Sequence, residues 1–207
     1  VPCDPTYTGA SLMHVAVDGL AARSPAPGVR RYLTEIWRAM PEAAPDVCGT
    51  LVGGDARDAA GLGLRHLPVR GPVINNLHWA AWTLPCALAR VGADVFHAPA
   101  YTAPLWGRAP LVLTIHDVSY ARQPEWYPHL SDPLRQAFYR RSACRADRII
   151  TDSRHSRDEI VQAYGIAADR ITVVPLGVAG RWRADTTIAR EPLVLHVGDV
   201  HTRRNLG

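Results

Sequence analysis

Residues 148–174 read RIITDSRHSRDEIVQAYGIAADRITVV, and they hold one complete strand–helix–strand unit. The apolar run at Arg148–Thr151 suits a buried strand. Ser153 then offers a side-chain oxygen to the orphan amides of a helix start. Gly165, directly after Tyr164, provides the left-handed residue that often ends a helix. A second apolar run follows at residues 171–174. Two strands joined by a helix of this length run parallel.

The same alternation extends upstream. Strands are expected at Met13–Asp18, Val47–Val52, residues 64–67, Val95–Ala98 and residues 111–115. Residues 19–28 form a Gly/Pro/Ser loop, after which Val29, Tyr32, Leu33, Ile36, Trp37 and Met40 recur at helical spacing. Asp132-Pro133, an N-cap followed by proline, opens a helix that runs to about residue 146. Residues 76–91 are also expected to be helical, with Pro85 kinking or dividing the stretch. Continuously apolar strands alternating with helices predict an α/β class: a Rossmann-like parallel sheet with helices on both faces. Residues 13–175 form that domain, after a disordered tail over residues 1–12. A polar, Arg-bearing linker is expected over residues 176–191. Residues 192–197 (PLVLHV) are expected to be the first strand of a second Rossmann-like domain, of which residues 192–207 are the truncated start.

Composition narrows the function classes. The chain has 207 residues, 47% of them hydrophobic, enough for a sizeable core. All 23 basic residues are Arg, and Ala numbers 30, a bias that points to a GC-rich genome. Single arginines therefore carry less meaning than usual. The net charge of +4 is mild, and the pairs Arg30-Arg31, Arg140-Arg141 and Arg203-Arg204 are scattered rather than clustered, which argues against nucleic acid. The four cysteines, Cys3, Cys48, Cys86 and Cys144, form no C-x-x-C and are expected to be buried free thiols of a reducing cytosol. No run of apolar residues is long enough to span a membrane.

Several chemistries have no matching motif. H-E-x-x-H, G-x-S-x-G, the P-loop pattern and a G-x-G-x-x-G after a strand are all missing, which sets aside zinc catalysis, serine hydrolysis and P-loop chemistry. No D-x-D pair or metal-ligand spacing occurs, so no metal is expected.

Three segments fall at carboxyl ends of strands, where open parallel sheets bind ligands. Gly28 precedes the helix at Val29, and it is either a turn glycine or a place where backbone N–H groups meet an anion. His116-Asp117 follows the strand at residues 111–115. The His could present a donor to a substrate oxygen, with the Asp fixing the loop or the imidazole, or it could simply bond to backbone. The loop beyond carries Tyr120, Trp126 and Tyr127, which suit sugar stacking or loop anchoring. Gly198, ahead of Arg203, Arg204 and Asn205, would make a diphosphate cradle at a helix start.

Six stretches together, in order, resemble the N-terminal half of a retaining GT-B glycosyltransferase of family 4, most like bacterial mannosyltransferase-type members. They are PGVRRY (27–32), DVFHAPAYTAP (94–104), VLTIHDVSYARQPEWYP (112–128), ADRIITDSRHS (146–156), DRITVVPLGV (169–178) and LHVGDVHTRRNL (195–206). The resemblance implies an acceptor-binding N-terminal domain facing a nucleotide-sugar-binding domain. His116, with Asp117 beside it, would contact the transferred sugar. Gly28 and Arg31 would lie at the cleft, and Gly198, Arg203 and Arg204 at the diphosphate. Tyr120, Trp126 and Tyr127 are acceptor-binding candidates. The donor would be a nucleotide-diphosphate sugar, with no cofactor, and the acceptor a glycan or a lipid-linked glycan. The resemblance also implies a cytoplasmic protein, associating peripherally with the inner face of the membrane. The family usually has Arg-Lys where this chain has Arg203-Arg204, and its E-x7-E element is not reached, so this chain is expected to be inactive by itself. Two other readings remain: a non-catalytic acceptor- or membrane-binding module using the Trp-rich stretch at 76–91, and a GT-B epimerase or phosphorylase.

Overall fold

Each apolar run of four to six residues has little to gain from solvent, and a parallel sheet covered on both faces is where such runs can all be buried at once. The computed structural model describes residues 12–71, 74–127, 132–179, 182, 183, 187, 189 and 191–198. Within them lies a seven-stranded, all-parallel sheet of order β3-β2-β1-β4-β5-β6-β7. Its strands are β1 (Met13–Asp18), β2 (Val47–Val52), β3 (Arg65–Leu67), β4 (Val95–Ala98), β5 (Leu111–Thr114), β6 (Arg148–Thr151) and β7 (Ile171–Val173). The helices are α1 (Pro27–Ala43), α2 (Ala56–Gly61), α3 (Asn76–His78), α4 (Leu84–Leu88), α5 (Ser119–Arg122), α6 (Pro133–Arg145) and α7 (Arg154–Tyr164).

The expected caps form as the chemistry requires. Ser153 accepts from the Ser156 amide, Asp132 accepts from the Leu134 amide, and Gly165 ends α7 at φ +69°. Side chains alternate across the sheet. Val17 and Leu51 join Leu33, Trp37 and Leu64 beneath α1 and α2, while Ala16 and Val52 join Trp79, Leu84, Phe96 and Ile160 on the opposite face.

The stretch expected to be one helix over residues 76–91 is interrupted differently from the proline kink anticipated. A π-helical turn, Trp79–Thr83, joins α3 to α4, and Pro85 sits in the first turn of α4, where no amide donor is needed. The wider turn separates two tryptophans that an α-helix would place on one face. Trp79 is buried at 2% exposure, whereas Trp82 stands 66% exposed.

Two expectations fail. Residues 192–197 form no strand. Leu193, Val194, Leu195 and Val197 have no ladder partner and stand 70%, 98%, 76% and 84% exposed. A strand exists only as a member of a ladder, and among the described residues no strand pairs beyond β7. The described cysteines are not buried free thiols either, and Cys3 lies outside the described residues. Cys48 is disulfide-bonded, and Cys86 and Cys144 are free but exposed. Leu84 and Ala87 take the inward positions of α4 and Ala143 that of α6, leaving each thiol on the outer side. The expected tail (residues 1–12) falls outside the described residues apart from Leu12. Among the described residues no helix is long and apolar enough to cross a membrane.

The loops after β1 and β2 touch through backbone. A Cβ on Gly19 would lie 2.5 Å from the Gly53 carbonyl carbon, and Gly53 itself sits under the Trp79 ring. A Gly19→Ala substitution is therefore expected to cost about 2–4 kcal/mol, because backbone must move. Gly61→Ala, where nothing lies within 4 Å, should stay within about 0.5 kcal/mol of neutral. Urea unfolding of both variants against the unaltered chain measures the contrast.

Candidate functional site at the carboxyl edge of the sheet

The strand order reverses between β1 and β4, which makes their carboxyl ends the switch point where doubly wound sheets bind ligands. The loop after β5 brings His116 to this edge, and β6 ends one residue before Asp152. The His116 Nδ1 lies 2.8 Å from Asp152 Oδ2, with the two side chains 17% and 20% exposed. A carboxylate only accepts, so Nδ1 carries the proton, and in the neutral ring Nε2 keeps its lone pair. That Nε2 is buried and has no hydrogen-bond partner.

Aromatic rings hold the imidazole from the sides. Tyr32, on the second turn of α1, stands edge-on to it at 4.9 Å between centroids, and Tyr101 does so at 6.3 Å. Tyr101 adopts φ +38°, the only non-glycine residue among those described with a left-handed backbone. Behind the rings, the Thr114 hydroxyl lies 3.0 Å from both Tyr32 Oη and His97 Nε2. It can accept from one and donate to the other, tying α1 to β4 and β5.

Burial sets the protonation of this edge. It lowers His97 to about 4, with His116 as a second cause, so His97 is neutral near pH 7. Burial raises Asp18, at the end of β1, to about 6, although the Leu20 amide and Trp79 Nε1 both donate to its Oδ1. Burial, then the charge of Asp117, raises the Tyr101 phenol far above its ordinary range, so it remains a donor.

The residues singled out from sequence divide into three groups. His116 is at the site and oriented. Gly28 is the second residue of α1, exposed, one turn ahead of Tyr32, and α1 has no side-chain N-cap, so its first amides are free to meet an anion. Asp117 turns away from the imidazole. Its Oδ1 accepts from the Ser119 amide at 3.0 Å and the Ser119 hydroxyl at 2.6 Å, so of the two roles open to it the Asp fixes the loop. Arg31 is exposed and paired with Glu35 at 3.0 Å. Tyr120 is buried at 3% exposure, bonded through its hydroxyl to Tyr164 and packed on Tyr101 and Tyr139, which makes it a loop anchor. Trp126 and Tyr127 are half-buried, with Tyr127 Oη 3.0 Å from Ser119 Oγ. Gly198 is exposed at φ +136°, and Arg203 and Arg204 lie outside the described residues. Among the described residues no group of three or more His, Cys, Asp or Glu could hold a metal ion.

Sequence reasoning missed Asp152, Tyr32, Tyr101, His97 and Thr114 as site residues. Asp152 carried the same signal as His116, a polar side chain directly after a strand's carboxyl end. Tyr101 and His97 lay in a stretch already recognised as distinctive.

Residues 27–179 match the family model described as Glycosyltransferase Family 4. The chain belongs to glycosyltransferase family 4. No curated protein matches it significantly. Among solved structures, Anabaena Alr3699/HepE in complex with UDP-glucose is 20% identical with a TM-score of 0.52, covering 80% of this chain and 44% of that one. A glycosyltransferase from Rickettsia africae ESF-5 is 15% identical with a TM-score of 0.49, covering 80% and 43%. This family 4 chain therefore spans under half the length of those two structures, and the likeness to HepE is one of fold. The sheet and its helices are those of the N-terminal region of a GT-B glycosyltransferase.

Two buried groups at this edge pull stability in opposite directions with pH. Asp18, raised from 3.8 to about 6, contributes stability below the lower value that is lost as pH rises to the upper. His97, lowered from 6.5 to about 4, contributes stability above the upper value that is lost as pH falls to the lower. In Asp18→Asn only the second slope survives. The variant's stability relative to the unaltered chain should grow between about pH 4 and pH 6 and plateau at roughly 2–3 kcal/mol. Urea unfolding across that range measures it. Independently, Asp152→Asn should leave the fold intact but let His116 sample both neutral tautomers, read from its ring ¹⁵N shifts.

Proposed function

We propose that this chain is the acceptor-side half of a retaining, metal-independent glycosyltransferase. It would move a hexose, such as mannose, from a nucleotide-diphosphate sugar to a glycan or lipid-linked acceptor. The single observation that carries the reading is the imidazole of His116 in a chain of family 4. It is fixed by Asp152 through Nδ1, while Nε2 is unpartnered at the carboxyl edge. A neutral Nε2 accepts from a sugar hydroxyl, and a charged ring donates to an oxygen gaining negative charge. Either interaction is preorganised, because Asp152 bonds Nδ1 while Tyr32 and Tyr101 stand edge-on to the ring.

The remaining site residues suit a sugar diphosphate. The uncapped start of α1 at Gly28 offers backbone donors and the positive end of a helix dipole to an anion. The UDP-glucose held by Anabaena HepE supports a nucleotide-sugar as donor. Gly198, Arg203 and Arg204 would complete the diphosphate contacts from the opposite side of a cleft. Trp126 and Tyr127 would border the acceptor, and Asp117 would hold their loop through Ser119. The protein would work in the cytoplasm at the inner face of the membrane when its acceptor is lipid-linked.

The test is a panel of nucleotide-sugars offered to the full-length protein with a glycan acceptor. Glycosidic bond formation with retained anomeric configuration is expected, and His116→Ala should lower turnover about 10²-fold or more. Epimerised donor without transfer, or phosphorolysis of the acceptor, would replace the transferase reading with a different GT-B reaction. Gly28→Ala is a clean probe of the helix start. Its Cβ would meet nothing within 4 Å, so a rise in KM for the donor with unchanged thermal stability is the expected outcome. The 207-residue chain alone should show no turnover.

A further inference from the structure

At the far edge of the sheet, beyond the end of β3, a groove of about 790 Å³ opens between the segment after Leu67 and the outer side of the π turn and α4. Its lining includes Arg70, His78, Trp82, Thr83, Cys86 and Arg90. Nothing in the family 4 reading uses it. Four strand spacings, roughly 19 Å, separate β3, after which the groove opens, from β5, the strand leading to His116.

The lining has a definite chemistry. Arg70 and Arg90 are exposed, and neither makes an ion pair or a side-chain hydrogen bond among the described residues. No Asp or Glu lines the groove, so its potential is positive and uncompensated. Trp82 leaves about a third of its surface covered and the rest open, an unusual cost for an indole in water. The Nδ1 of His78 is buried without a hydrogen-bond partner. A planar aromatic face, two guanidinium forks and additional hydrogen-bonding groups in a concave site suit a pyranose that carries a negative charge. On such a ring the indole would cover the C–H face and the guanidiniums would grip a carboxylate, sulfate or phosphate bidentately.

We infer that this groove binds an acidic saccharide, through Trp82 stacking and an Arg70–Arg90 clamp on its anionic group. A flat lipid surface fits less well, because the arginines and the tryptophan line a concavity rather than crown a ridge. The inference goes beyond the proposed reaction, since binding here requires neither a nucleotide-sugar nor turnover.

Cys86 makes the groove measurable. It lines the cavity as an exposed free thiol, and Cys144, also exposed and free, lies on α6 outside it and serves as an internal reference. Alkylation of the two, followed by peptide mass mapping, is compared with trigalacturonate, maltotriose, inorganic phosphate or phosphatidylglycerol vesicles present. At nine-tenths occupancy trigalacturonate should slow Cys86 about tenfold and leave Cys144 unchanged. Maltotriose and phosphate should do so at least about tenfold more weakly in concentration. Trp82→Ala, and separately the Arg70→Gln/Arg90→Gln pair, should abolish the protection while thermal unfolding is unchanged. Equal protection by maltotriose or by phosphate alone, protection only by vesicles, or no protection by trigalacturonate would each overturn the inference. Failure here leaves the transferase test untouched, because that test reads product at His116.

Discussion

A strand buried on both faces has few side chains to lend to chemistry. Ala16 and Val17 of β1, Phe96 of β4, Leu111 and Leu113 of β5, and Ile149 of β6 are all within 2% of complete burial. Polar function is thereby pushed to the strand ends, and in an all-parallel sheet every carboxyl end lies on the same edge. His116, Asp152 and Tyr101 come from three different connections and Asp18 from the last position of β1, yet they share that edge because the strands run in one direction. Reversal of the strand order between β1 and β4 then opens a gap in the helical cover at that point. The site is a consequence of strand direction before it is a consequence of any residue.

Within the edge, orientation is achieved with neutral groups. His97 is kept uncharged by burial, Tyr101 and Tyr120 are kept protonated by burial, and their rings interlock with Tyr139 at near-perpendicular or tilted angles. Among the described residues only Asp152 brings a charge into contact with the His116 ring. A single carboxylate among aromatic rings fixes one imidazole nitrogen without competing for the other, which a cluster of charges would not do. Asp117 is kept out of that competition by Ser119, whose amide and hydroxyl both occupy the same carboxylate oxygen.

The sheet was legible from sequence because parallel strands are apolar throughout and end at recognisable caps. All seven were placed to within one residue, and Val174 still bonds to Thr151 just past the end of β7. His116 and Gly28 were legible from position. Asp152 shares that positional signal, but its pairing with His116 was not legible, since it depends on the order β5-β6, which brings together residues 36 apart in sequence. Tyr32 looked like one more apolar position of an amphipathic helix, and only the packing of α1 over the sheet shows its hydroxyl reaching Thr114. Tyr120 erred the other way: a loop aromatic next to a candidate His suggests a sugar platform, but its hydroxyl found Tyr164 in the core. The strand expected at residues 192–197 carries the right pattern, and pattern without a neighbouring strand does not make a ladder.

A π turn is what an α-helix becomes when one residue too many is housed between fixed ends. Here the ends are fixed by Asn75, which caps α3 onto the His78 amide, and by Leu84 and Ala87, which are locked into the core. The surplus residue has nowhere to go but outward, and it carries Trp82 with it. Removal of one residue between Trp79 and Thr83 would let the coil wind regularly and rotate that indole toward the sheet. Insertion and deletion, rather than substitution, are then the steps by which this edge of the molecule gains or loses its aromatic wall.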